Sequence, residues 1–141
     1  MLPVKPNSVQ TTSPPQKGGL RMSVIRDSRI FRLACFAGAL LIVIILFWMG
    51  AKPIAVKLLP GSLDIVAHFA TFGLIAVLLW LSFQRGHPLL VIMIVSAIGA
   101  ADELRQFFLP GRSASLQDLA ADIFAAVVIV SLLEYARRRN E

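Results

Sequence analysis

Eight polar residues could do chemistry, and they fall into short clusters. Asp64 and His68 stand four apart, and Thr71 follows three later. Asp102, Glu103 and Gln106 form a second cluster, Asp118 and Asp122 a third, and Arg112 lies between the two. On a helix, residues three or four apart share a face. Asp64, His68 and Thr71 therefore form one stripe. Asp118 and Asp122 form another, continued by Ala125. Asp102 and Glu103 both meet Gln106 on a third, with Ser96 and Gly99 leading into the same face. Carboxylates beside one histidine can hold a divalent metal or act as acid and base. An arginine beside them can hold a phosphate. No nucleophile signature accompanies them, because Ser113 and Ser115 read as turn and cap residues.

Each residue also has a plain reading. Asp118 follows Ser115 by three, the spacing of a helix capping box. Asp64 in a first turn is favoured by the helix dipole. Arg112 or Arg105 would neutralise acids in a purely structural network. His68 and Asp122 lie a turn deeper, where neither capping nor the dipole explains them. Taken together, His68, Asp102, Glu103, Gln106 and Asp122 weigh toward function.

The elements that must carry these stripes are apolar. Of 141 residues, 57% are hydrophobic and 16% charged, against roughly a quarter charged in a soluble domain; mean hydropathy is +0.75. The apolar residues fall in runs near the length that crosses a hydrocarbon core, about 20 residues. The runs predict spans at about 31–50, 64–83, 88–108 and 116–136. The third stays apolar only to Ala101, so it reaches full length only if its polar last turns are held in protein or at the interface. The expected fold is an all-α membrane protein, a bundle of four transmembrane helices in a domain over 29–139. Residues 1–28 are expected to be a disordered tail, rich in Pro, Ser, Thr, Gln and Gly over its first twenty residues. Met22 offers an alternative start. The first span sits behind about thirty residues, is too long for the apolar region of a signal peptide and lacks its small-residue cleavage site.

Orientation follows from the basic residues. Arg21, Arg26, Arg29, Arg32, Arg85 and Arg137 to Arg139 fall on one side, and Lys52, Lys57, Arg105 and Arg112 on the other. The excess of eight over four puts both termini in the cytoplasm. The net charge of +6 is thus mainly topological, and no folded basic face suggests nucleic acid. Trp48 and Tyr135 suit the two interfacial belts. Of eight acids, Asp64, Asp102, Glu103, Asp118 and Asp122 collect at the outer ends of spans two to four. A charge at the bilayer centre costs about 2.5–3.5 kcal/mol on insertion scales, and less near the interface. The stripes are therefore expected to face each other as a polar pocket at the outer leaflet. The turns Pro60-Gly61 and Pro110-Gly111 each precede an inward-going helix, which hints at a repeat of two hairpins. The lone Cys35 excludes an intramolecular disulfide and reads as a packing residue.

The string Asp102-Glu103-x-x-Gln106-x-x-x-Pro110-Gly111-Arg112-Ser113, followed by Asp118-x-x-x-Asp122, resembles the VanZ-like family. Asp64-x-x-x-His68-Phe69 is similar to that family's first motif, and the likeness covers about 31–136. Two positions depart from it: Ala125 stands where members often have Gly, and Ile65 where a Lys is frequent. The resemblance implies a multi-pass protein of the bacterial inner membrane and cell envelope, in a family named for a member linked to teicoplanin resistance and without a settled activity. The function expected first is binding of an envelope lipid, lipid-linked precursor or glycopeptide-type headgroup by Asp64, His68, Asp102, Glu103, Gln106, Arg112, Asp118 and Asp122. The alternatives are a membrane-embedded enzyme for lipid phosphoryl or acyl transfer, and an assembly protein with a buried polar clasp. The sequence leaves cofactor, metal and oligomeric state open.

Overall fold

The computed structural model describes residues 28–50, 61–83, 87–110 and 114–140, with side chains in the second segment from residue 65. The Asp64 side chain and Arg112 lie outside this set, as do the tail before residue 28 and the loops carrying Lys52, Lys57 and Arg85. Four helices follow one another: α1 (Arg29–Gly50), α2 (Gly61–Ser82), α3 (Pro88–Phe107) and α4 (Leu116–Arg139). There is no strand among the described residues.

Local chemistry sets the helix ends. The Ser28 hydroxyl accepts from the Phe31 N–H at 3.1 Å and opens α1. Pro88 opens α3 where its missing N–H is not needed. Ser115 caps α4 by accepting from the Asp118 N–H at 3.2 Å. Arg137, Arg138 and Arg139 close α4, where cations suit the dipole.

Helices α1, α2 and α4 are long and apolar enough to cross a membrane. The 22 residues of α1 reach about 33 Å at about 1.5 Å each, against a hydrocarbon core of about 30 Å. Helix α3 is 20 residues long but carries Asp102, Glu103 and Arg105 in its last turns. Asp102, Glu103 and Gln106 are buried within the bundle, at 2%, 5% and 5% exposure.

Helix α2 is the hub and packs against α4 and α1, while α3 packs mainly against α4. The core joins Phe72, Ile75, Ala76 and Leu79 of α2 to Val91 and Val95 of α3 and to Ala125, Ala126 and Val130 of α4. From α1 come the buried Ala39 and, packed against the core, Ile42, Val43 and Leu46; its other side exposes Ile30, Leu33, Leu40, Leu41, Ile44 and Trp48. Such an apolar exterior suits lipid. In lipid, helix association rests on close packing and interhelical hydrogen bonds rather than on apolar burial. At one end, Arg32 Nε donates to the Ser82 carbonyl at 2.9 Å and ties α1 to α2. The opposite end holds the polar clusters.

Candidate functional site

Two connected groups of polar side chains occupy that end. The first joins α2, α3 and α4. His68 Nδ1 lies 3.0 Å from Asp122 Oδ1, across the α2–α4 interface. Asp122 is completely buried, and the His68 ring stacks near Phe72, centroids 5.9 Å apart. Asp122 reaches this position because Gly99 of α3 has no side chain. A Cβ built on Gly99 would lie 2.9 Å from Asp122 Oδ2 and 3.1 Å from its Cβ. The small residue on the α3 stripe thus makes room for an acid, as well as bringing two helices together.

Glu103 is held from the start of α4. Its Oε2 accepts from the Ser115 N–H at 2.6 Å. In a reciprocal capping box the N3 side chain takes that N–H. Here Asp118 is the N3 residue, yet Glu103 from another helix takes its place. Ser115 still caps the Asp118 N–H, and the Asp118 carboxylate is spared that duty. One ligand-type atom each of His68, Glu103 and Asp118 lie within 4.8 Å of one another.

The second group ties α3 to α1. Asp102 Oδ1 accepts from Arg105 Nη2 at 2.9 Å, and its Oδ2 accepts from Gln106 Nε2 at 2.8 Å. Arg105 also donates through Nη1 to the Phe47 carbonyl of α1. Its guanidinium carbon stands 4.8 Å from the centre of the Phe47 ring, a cation–π distance. Gly50 gives the guanidinium its space, since a Cβ there would collide with Nη2. Arg105 is therefore committed to an acid and to a neighbouring backbone.

Of the eight residues singled out in the sequence, His68, Glu103, Asp118 and Asp122 come together in one cluster. Asp102 and Gln106 are adjacent on α3 but turned into the α1 tie. Asp64 places its backbone in the first turn of α2, while its side chain and Arg112 are outside the described residues. Phe47, Gly50 and the Ser115 N–H escaped sequence reasoning. Two of these interactions run through backbone atoms, which no residue type announces. Gly50 could have been noticed as a small residue at a span end.

Two buried acids keep an oxygen without a hydrogen-bond partner among the described residues, Glu103 Oε1 and Asp122 Oδ2. The second lies against Gly99. The first is on Glu103, a residue of the His68–Glu103–Asp118 group.

A family model described as VanZ/LLP1 matches residues 21–137. No curated protein and no solved structure matches the chain. The match takes in all four helices and both polar groups. With three helices long and apolar enough to cross a bilayer and this match over most of its length, the chain is a membrane protein that belongs to the VanZ/LLP1 family.

Proposed function

We propose that this protein spans the bacterial inner membrane four times with both termini in the cytoplasm. Its polar end then faces the outer leaflet and binds the headgroup of an envelope lipid or lipid-linked precursor. One observation carries this reading. Asp102, Glu103, Gln106 and Asp122, each at 5% exposure or less, concentrate at one end of a bundle whose remaining core is apolar. Intramembrane acids are costly and usually mark ligand or ion sites. Glu103, Asp118 and Asp122 of the His68 cluster offer acceptors to a sugar or peptide headgroup. Arg105 is already engaged by Asp102 and Phe47, so Arg112 is the cation assigned to a phosphate.

Native mass spectrometry of the detergent-purified chain tests this. A co-purifying envelope lipid is expected, and it should be lost in Arg112→Ala at unchanged protein abundance. The same lipid profile in wild type and variant would overturn the reading. A loss of abundance and thermal stability together would point to a structural clasp instead.

The His68–Asp122 pair supports a second reading. A carboxylate that orients an imidazole is the usual companion of an acid–base histidine. In that reading the same headgroup undergoes phosphoryl or acyl transfer. Turnover of the bound lipid that stops in His68→Gln, with binding retained, would favour it.

A further inference from the structure

We propose that His68, Glu103 and Asp118 form a site for one divalent transition-metal ion of the zinc or manganese class. Three features converge on it. One ligand-type atom from each residue lies within 4.8 Å of the others. One imidazole and two carboxylates are a donor set that suits such ions and leaves a coordination position open. Glu103, at 5% exposure, keeps Oε1 buried and without a hydrogen-bond partner among the described residues, while its Oε2 is anchored by the Ser115 N–H at 2.6 Å. A carboxylate fixed through one oxygen, with the other buried and lacking a hydrogen-bond partner among the described residues, is prepared for monodentate coordination.

A further detail concerns the histidine. Metal-bound imidazoles generally donate their second ring N–H to a carboxylate, which sets the tautomer and the ring plane. Asp122 Oδ1 stands 3.0 Å from His68 Nδ1 and is fully buried. The pairing assigns the proton to Nδ1 and coordination to Nε2. Gly99, by admitting Asp122, becomes part of the support of the site. Charge agrees as well. Asp102 is neutralised by Arg105, whereas Glu103, Asp118 and Asp122 concentrate carboxylates around one histidine, a grouping that a divalent ion offsets. Ligands about 2.1 Å from a tetrahedral ion stand about 3.4 Å apart. A rotamer change of the half-buried Asp118, with a small rotation of Glu103 about its anchored oxygen, can close that gap.

The inference deepens the headgroup reading, and rests on it only for the fourth ligand, which would be a phosphate oxygen in place of water. Chelator-stripped full chain in detergent, dialysed against zinc or manganese chloride, gives the test. The expected result is one ion per chain by elemental analysis, with a metal-dependent rise in melting temperature. Glu103→Gln and Asp118→Asn should each weaken binding by about tenfold or more, and Asp122→Asn by about 10–100-fold. Asp118 is only half-buried, so its variant should fold and keep the comparison valid if Glu103→Gln does not. Less than one ion per chain in the wild type, or wild-type affinity in both Glu103→Gln and Asp118→Asn, would overturn the site. Lipid content measured on the same samples separates the two proposals. Lipid retained without metal sinks the metal site alone. Metal bound without lipid sinks the headgroup reading alone.

Discussion

Gly99 shows how one residue sets the chemistry of its neighbours. A methyl group there would press against the Asp122 carboxylate at 2.9 Å and its Cβ at 3.1 Å. Asp122 is fully buried and held by His68, so it cannot swing away without losing that partner. Gly99→Ala should therefore destabilise the protein by about 1–3 kcal/mol, the usual cost of overpacking, with a lower thermal midpoint in detergent. Gly38→Ala is the matched control. Its Cβ would meet only Leu78 Cδ1, at an ordinary 3.6 Å, and the midpoint should hardly change. Equal effects of the two substitutions would show that Gly99 is not a special contact. That His68, Asp122 and Glu103 are polar residues on helical stripes was legible from residue type and spacing. The role of Gly99 as a socket for Asp122 was not, because it depends on which helix lies opposite.

At the scale of elements, α3 is the helix that needs explanation. Its last turns carry Asp102, Glu103 and Arg105, which set it apart from the three helices that qualify as spans by length and composition. Two attachments cover this polar end. Arg105 reaches the Phe47 carbonyl of α1, and Glu103 receives the Ser115 N–H at the head of α4. Arg105→Ala should leave Asp102 Oδ1 and the Phe47 carbonyl without a donor, at about 1–3 kcal/mol for unmet buried groups. Denaturant unfolding in micelles, compared with Arg105→Lys, measures it. Lysine keeps the charge but cannot span acid and carbonyl as a rigid fork, so it should recover only part of the loss. Wild-type unfolding of Arg105→Ala would show the tie to be idle. Charge counting placed Arg105 on the outer side, and the sequence offered it as a partner that could neutralise acids. Its geometry in the fold takes the neutralising role.

For the whole molecule, the two ends differ in kind. One end gathers Arg29, Arg32 and the three arginines that close α4. The other gathers buried acids beneath the α3–α4 connection. In the proposed orientation, with the arginines in the cytoplasm, Ala114→Cys should react with an impermeant maleimide in intact cells. Asn140→Cys and Arg85→Cys should react only after permeabilisation. The lone native thiol, Cys35, is buried and should give little background. Labelling of residue 140 or 85 from outside would reverse the orientation. Sequence by itself determined the helices and their family motif. Apolar runs of spanning length permit little besides helix in lipid, where each backbone group must find its bond within the segment. It also determined which faces are polar, since the helical repeat fixes that locally. Only the tertiary structure decided how the polar residues divide: His68, Glu103, Asp118 and Asp122 into one cluster, and Asp102, Arg105 and Gln106 into a tie to α1. That division depends on helix rotation and depth, which neighbouring side chains and backbone atoms set, and no spacing along one chain segment encodes them.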